Sequence, residues 1–574
     1  MFKNQPKGLY VLALANTGER FGYYTMLAIL LLFLQAKFAL PTATAGLIYS
    51  TFLALVYFMP MLGGVIADKW NFSKTVTLGI VVMFLGYFVM AIPTSMPDGS
   101  AFSSPAFYIM LLALLLISCG TGLFKGNLQV MVGDLYNDPR YSDKRDVAFS
   151  LFYMAINIGA MFAPSVTESL CRFALSAQDL VYDPAIPGLC NKFIAGDTID
   201  ADKLALLTSF AGNPADLMAW CKTYMATIST GYSYAFAVAC GSMVLSFLIY
   251  KLGRRTYANV TASKADKGAA SAAAQPELTK EQTKSRITAL LLVFTVVIFF
   301  WMVFHQNGLT LTKFAEAFTQ PESSGWTRIA FNVWALATIV VAVYSTFSLI
   351  QSKGTSRIIS GIVLLASLVG LYFFYDTTPD PVSGLQPQIY QQFNPFYVVA
   401  LTPFSVALFS WLAKKKKDPS APRKIGYGML VAGLGFGIMA LGSIGLGIAP
   451  AEGQASTLVS PNLLMGTYLV LTFAELLLSP MGISFVSKVA PPKYKGAMMG
   501  CWFGATAIGN FLTAIPAMLW DKIDVALLWT ILIGLCLVSA AFIFSIMKKL
   551  ESATADAPAP VVEDKIENIE DDAI

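Results

Sequence analysis

The chain has a single histidine, and its seven cysteines include no CxxC pair. That scarcity leaves little material for a zinc, haem or iron–sulfur centre, so metal chemistry is not expected and no cofactor is implied. Charge is scarce as well: 13% of the 574 residues are charged, against about 25% in ordinary soluble domains. Apolar residues take its place. A hydrophobic share of 56% and a mean hydropathy of +0.63 exclude a soluble globular chain. The net charge of +5 is spread over short loops and offset by an acidic tail. It reads as membrane orientation and leaves no nucleic-acid footprint.

Crossing ~30 Å of hydrocarbon takes roughly 20 apolar residues in a helix. Fourteen such stretches are predicted: 8–35, 45–67, 74–94, 105–132, 146–170, 229–251, 286–318, 328–350, 357–375, 394–413, 424–449, 461–488, 495–519 and 525–548. The first is too long, and too closely followed by others, to read as a cleaved signal peptide. The expectation is an all-α polytopic membrane protein.

Lys and Arg set the orientation, because they resist translocation in short loops. With the N-terminus inside, the inner loops hold Lys69, Lys74, Arg140, Lys144, Arg145, Arg254, Arg255, Lys353, Arg357, the run 414–417, Lys493, Lys495, Lys548 and Lys549, while outer loops 95–104, 376–392 and 450–460 hold none. An even number of spans puts both termini in the cytoplasm. The acidic tail, 550–574, is expected to be disordered. Residues 252–284, basic and then Ala-rich, read as a cytoplasmic linker between two helical bundles. The outer stretch 171–228 contains Cys171, Cys190 and Cys221. Two of these could pair in an oxidising compartment, or all three are ordinary thiols in a mobile loop; sequence leaves the connectivity open.

A charge near the centre of a membrane helix costs about 2.5 to 3.5 kcal/mol, so each that persists is a functional candidate. Glu19, Arg20 and Lys125 qualify in the first half of the chain, His305 and Glu475 in the second. That distribution suits a site between two halves. Residues three or four apart share a helix face, which groups Asn16, Arg20 and Tyr23 or Tyr24, Trp301 with His305, Tyr153 with Asn157, and Glu475 with Ser479. Such a cavity could hold a zwitterion, cations facing its carboxylate and acids its ammonium. The alternative is that these charges are structural locks between helices.

Specific strings go further. GGVIADKW (63–70) resembles the inner-loop motif of the major facilitator superfamily. GERFGYY (18–24), GTGLFKGN (120–127), FSLFYMAINIG (149–159), FWMVFHQNG (300–308), FNP (393–395), AELLLSPMGISFVSKVAP (474–491) and MMGCWF (498–503) resemble, in order, the signatures of the proton-dependent oligopeptide transporter family. The resemblance implies a proton-coupled symporter importing di- and tripeptides by alternating access, with no enzymatic activity. Its partners would be the peptide, the proton and the lipid bilayer, its location a bacterial inner membrane, and its functional unit a monomer. By position, Lys125 and Arg20 would face the peptide carboxylate, and Glu475, Asn157 and Asn394 its amino end. Tyr23, Tyr24 and Tyr57 look like cavity tyrosines, and Trp301 and Trp502 like walls of a side-chain pocket. Glu19, Arg20, His305 and Glu475 would couple protons.

The departures from the pattern fall on titratable positions. Asn16 stands where the first-helix motif begins with Glu, Leu27 where an Arg is frequent, and His305 where a Glu follows Trp by four residues. Losing both partners of a buried pair is physically reasonable, since losing one strands a charge at about 3 to 5 kcal/mol. His305 either bridges helices by a hydrogen bond or titrates in place of the missing Glu. As a cation it would instead attract an anion, so an anion such as nitrate, another non-peptide substrate, or a non-transporting membrane receptor are the alternative readings. The expected layout is a major facilitator superfamily fold. It comprises an N-terminal six-helix bundle (1–251), the linker (252–284), the first helix of the C-terminal bundle (285–327), an inserted transmembrane helix pair (328–375) between family helices 7 and 8, and the rest of that bundle (376–549), fourteen helices in all.

Overall fold

A computed structural model of the chain describes residues 5–93, 101–138, 140–141, 145–260, 278–450, 453–491 and 494–555. Thirteen of its helices are long and apolar enough to cross a membrane. The first group is α1 (Lys7–Phe38), α2 (Thr42–Lys69), α3 (Phe72–Ala91), α4 (Pro105–Asp134), α5 (Arg145–Ser176), two short helices α6 (Ile186–Ala195) and α7 (Ala201–Phe210), and α8 (Leu217–Leu252). The second is α9 (Lys280–Phe304), α10 (Thr310–Phe318), α11 (Val333–Gln351), α12 (Thr355–Thr377), α13 (Phe393–Lys414), α14 (Ala421–Gly442), α15 (Asn462–Val489), α16 (Lys495–Leu512), α17 (Ala514–Leu519), α18 (Val525–Ser545) and α19 (Met547–Ala555). One apolar cluster is built mainly from α1–α8 and another mainly from α9–α11 and α13–α19, with Ala517 of α17 joining the first and Met161 of α5 the second, so the chain folds around two cores with a seam between them.

Lipid tails are as apolar as leucine, so helices in a membrane associate through close backbone approach rather than through hydrophobic burial. Glycines supply it. A Cβ on Gly63 of α2 would sit 2.2 Å from the Gly122 carbonyl of α4, and one on Gly120 of α4 would sit 2.7 Å from the Gly79 carbonyl of α3. α5 is absent from the thirteen apolar spans although it forms a helix over the expected 146–170 stretch. Its face toward the seam is polar, with Tyr153, Asn157 and Ser165 at its pocket-lining turns.

Four boundaries differ from the sequence reading. The seventh span, expected unbroken over 286–318, splits into α9 and α10 around a 3₁₀ turn His305–Gly308. The Tyr49 hydroxyl from α2 occupies the space a side chain at 308 would need, 1.8 Å from where its Cβ would be. The outer segment is also shorter than 171–228, because α5 runs to Ser176 and α8 starts at Leu217, and what remains carries α6 and α7. Cys171, Cys190 and Cys221 are therefore all helical and buried. α9 starts at Lys280 behind a capping box of Thr279 and Gln282, inside the expected linker, while 261–277 lie outside the described residues. Finally, α19 extends to Ala555, past the expected start of the tail, and 556–574 lie outside the described residues.

Helices α11 and α12 pack on each other, α11 also packs on α13, and the pair leaves broad apolar faces exposed, as at Ile350, Ile358, Ile362 and Tyr372. Ser348 and Ser360 hydroxyls hydrogen-bond across this pair at 2.7 Å.

Candidate functional site

A cavity of about 220 Å³ lies in the seam, lined from α1, α2, α4 and α5 on one side and α9, α13, α15 and α16 on the other. Arg20, Tyr23, Tyr24, Tyr57, Lys125, Asn157, Trp301, Asn394, Glu475 and Trp502 all line it, as do Asn16, Leu27 and His305. Glu19 does not. It is fully buried within the first group, where Oε2 accepts from Arg20 Nε at 2.5 Å and Oε1 from Arg20 NH2 at 2.6 Å. Neighbours in sequence on one helix, the two close into a bidentate pair. The Arg20 guanidinium also lies over the Tyr23 ring, 4.7 Å from its centroid.

Lys125 has a different surrounding. Its ammonium sits 4.0 Å above the Tyr57 ring, a cation–π contact, and no carboxylate pairs with it among the described residues. Tyr57 in turn stands 6.4 Å from Trp301 and 6.1 Å from His305, and the Trp301 and His305 rings stack at 4.8 Å. The helix break puts His305 at the C-cap of α9, where its ring still folds back on Trp301 one turn earlier.

On the facing wall, Glu475 of α15 accepts 2.9 Å from Asn394 Nδ2 of α13 and 3.1 Å from the Tyr153 hydroxyl of α5. Asn394 also donates to Thr472 Oγ1 at 3.0 Å, and Asn157 donates to the Tyr153 carbonyl at 3.0 Å. Trp502 of α16 packs directly against Gly482 of α15: a Cβ there would meet its ring at 1.9 Å. Only glycine admits the indole so close.

Several polar atoms around the cavity are buried without a hydrogen-bond partner: Asn16 Nδ2, Trp301 Nε1, His305 Nδ1 and Ser479 Oγ. Buried polar groups ordinarily find partners, so a cluster of orphans in one hollow marks a place for a polar ligand or water. Sequence reasoning did not single out Gln129, Gln391, Asn307 or Thr506, which also line the cavity. None has a distinctive sequence signal. Tyr153 was visible only as the i, i+4 neighbour of Asn157; its link to Glu475 is tertiary.

At the end of the seam that carries α6 and α7, polar side chains tie the two groups together. Ser165 donates to Gln392 Oε1 at 2.7 Å, Ser50 and Thr513 hydroxyls share a hydrogen bond at 2.7 Å, Gln391 donates to the Ala28 carbonyl at 3.1 Å, and Lys313 donates to Gln35 Oε1 at 3.2 Å. Arg172 of α5 reaches the carbonyls of Ser383 and Gly384 at 3.1 and 2.6 Å. The cavity is shut toward that end.

Comparison with known proteins gives a consistent picture. A family model described as "POT family" matches residues 73–173 and 372–533. An uncharacterized transporter, YclF, of Bacillus subtilis is 28% identical, with 91% of this chain and 89% of that protein covered. A protein named dipeptide and tripeptide permease B from Salmonella typhimurium is 24% identical, with 95% of each covered. The crystal structure of a mutant peptide transporter POT in complex with alafosfalin superposes with a TM-score of 0.63, at 22% identity, covering 96% of both chains. That likeness establishes the fold.

Proposed function

The chain belongs to the POT family, and on that premise we propose that it is a proton-coupled symporter importing di- and tripeptides by alternating access. The observation that carries this reading is the seam cavity, with the cations of Arg20 and Lys125 and the carboxylate of Glu475 around one hollow. Lys125, with Arg20 behind it, takes the peptide carboxylate. Glu475, positioned by Asn394 and close to Asn157, takes the ammonium. Tyr23, Tyr24 and Tyr57 form the wall along the backbone, and Trp301 and Trp502 border the space for side chains. Reading the charged ends while leaving side chains to roomy apolar walls permits broad specificity.

Coupling follows from linkage. A proton or a peptide shifts the balance between two open states only if it binds them differently. Glu475 contacts both halves, through Tyr153 and Asn394, so its protonation weakens a tie that spans the seam. Glu19, through its bond to Arg20, and His305, beside Lys125, are the other groups whose protonation alters the charges facing the peptide. The chain sits in a bacterial inner membrane with both termini cytoplasmic, acts as a monomer, and has its α6–α7 end outside.

A second reading keeps the fold and changes the cargo to an anion. Two features favour it: Lys125 lacks a carboxylate partner among the described residues, and His305 Nδ1 and Trp301 Nε1 in the same cavity lack hydrogen-bond partners. Uptake of a labelled dipeptide into proteoliposomes separates the readings. Accumulation that requires an inward proton gradient supports peptide symport. Peptide-indifferent liposomes that accumulate nitrate or an organic anion support the second reading.

A further inference from the structure

The segment between α5 and α8 folds into a cap over the sealed end of the seam, and its attachment is specific. Asn191 of α6 donates to the Gln35 carbonyl of α1 at 2.9 Å, the Tyr224 hydroxyl of α8 donates to the Val181 carbonyl at 3.1 Å, and α6 packs along α8. Where α6 packs on the first turns of α8, Cys190 and Cys221 are free thiols that interact with each other, and both residues are completely buried. Cys171 is elsewhere. Its Sγ lies against Gly231, 3.2 Å from where a Cβ would be, and Gly231 is ten residues beyond Cys221 on α8, roughly 15 Å along a helix at 1.5 Å per residue.

We propose that Cys190 and Cys221 form a disulfide in the mature protein, a covalent modification that fixes the α6–α7 cap to the N-terminal bundle and leaves Cys171 reduced. The inference rests on the reading above that this end faces the oxidising side of the membrane. Of the three pairings that these thiols allow, only this one joins side chains already in contact. Formation proceeds by thiol–disulfide exchange before the site is buried. One cysteine thiolate attacks a sulfur of a disulfide-bearing thiol oxidoreductase, giving a mixed disulfide. The second cysteine thiolate then displaces the oxidoreductase. The two thiol protons and two electrons leave with it as its reduced dithiol, and one S–S bond replaces another.

The bond has a consequence for the seam. Closing a ring from 190 to 221 encloses all of α7 and anchors α6, beside whose N-cap Ala185 and Leu189 side chain lies Gly453 of the second group, where a Cβ would be 3.5 Å from the Ala185 carbonyl. The cap thus moves with the first bundle as one body, and its edge against Gly453 becomes part of the surface that must part when this end opens.

Peptide mapping of the wild-type protein, denatured and alkylated before any reduction, tests this. The expected result is a Cys190 peptide linked to a Cys221 peptide, released only by reductant, with Cys171 alkylated from the start. Free, alkylated Cys190 and Cys221, or a link that includes Cys171, overturns the proposal. A Ser209→Cys variant, treated in intact cells with a membrane-impermeant maleimide, separates the two ways of failing. Labelling alongside free Cys190 and Cys221 leaves the sidedness standing and removes the disulfide, whereas no labelling removes both. As a second readout, Cys190→Ser, Cys221→Ser and the double variant should lower the melting temperature by the same amount, since each breaks one shared bond. Additive losses would count against it.

Discussion

At Glu475 the two carboxylate oxygens have separate partners, Asn394 from the same half of the molecule and Tyr153 from the other. Both donors are neutral, so this carboxylate can exchange a hydrogen-bonded tie across the seam for an ion pair with a ligand's ammonium. Lys125 is the complementary case: it has no carboxylate partner among the described residues and lies over the face of Tyr57, a contact worth about 0.5 to 2 kcal/mol, much weaker than a buried ion pair with a substrate carboxylate. Glu475→Ala and Lys125→Ala should therefore each abolish gradient-driven dipeptide accumulation in proteoliposomes. Tyr153→Phe, which removes one donor and leaves the charge, should instead change the half-saturation concentration. Wild-type flux in either alanine variant would remove the site assignment. Gly482 makes a separate residue-scale argument. A methyl group there must displace the Trp502 ring, and overpacking of this kind costs about 1 to 3 kcal/mol. Gly482→Ala should lower the melting temperature and raise the half-saturation concentration more for a dipeptide with a bulky side chain than for dialanine.

The elements divide cleanly between those that local sequence specifies and those that neighbours impose. Long apolar runs were enough to place most of the helices, because a bilayer leaves the backbone few alternatives to a helix. The five intramembrane titratable positions were equally legible, since each carries a cost that sequence alone can weigh. The break at His305 was less legible: Gln306, Asn307 and Gly308 interrupt the apolar run there as a turn signal would, but the Tyr49 hydroxyl that fills the space beside Gly308 comes from another helix. The seat of Trp502 on Gly482 and the capping of the seam by α6 and α7 are tertiary in the same sense. One element carries a pH prediction. α19 is held by Glu551, whose carboxylate accepts from Arg423 Nε at 2.7 Å and from Ser420 Oγ at 2.7 Å, and these bonds hold its pKa below the ordinary glutamate value. A lowered folded-state pKa gives stabilisation that is complete above the unfolded value and is lost as pH falls through the lowered one. The pair is half exposed, so the effect is about 0.2 to 1 kcal/mol. Protection factors of the α19 amides, referenced to the intrinsic exchange rate at each pH, should fall on acidification through the lowered Glu551 pKa and should already be lower at pH 7 in Glu551→Gln; equal protection in wild type and variant would show that packing of Leu550 and Ala553 alone holds the helix.

Over the whole molecule, alternating access requires that the present arrangement, closed at the cap end, be balanced against one open there. What holds it closed is a set of separate hydrogen bonds, among them Ser50 with Thr513 and Ser165 with Gln392. These four residues leave few unsatisfied groups behind when the serines are removed: Gln392 still donates to the Ala330 carbonyl at 3.1 Å, and Thr513 still donates to the Asn510 carbonyl at 2.6 Å. Each such bond contributes about 0.5 to 1.5 kcal/mol net, because water replaces it in the open state. The two sites share no partner, so their effects should add. Ser50→Ala with Ser165→Ala should then favour the cap-open state by about 1 to 3 kcal/mol, a change of about 5- to 150-fold in the ratio of the two populations. Spin labels on exposed positions at the two edges of the seam, Ser209 in the cap and Ser456 opposite, report it directly. The long-distance population should grow in each single variant and grow further in the double. If the distance distribution does not move, the serine bonds decorate a closure that the packing of α2 on α16 and α17 already fixes, and the conformational balance must then be set by the groups in the cavity alone.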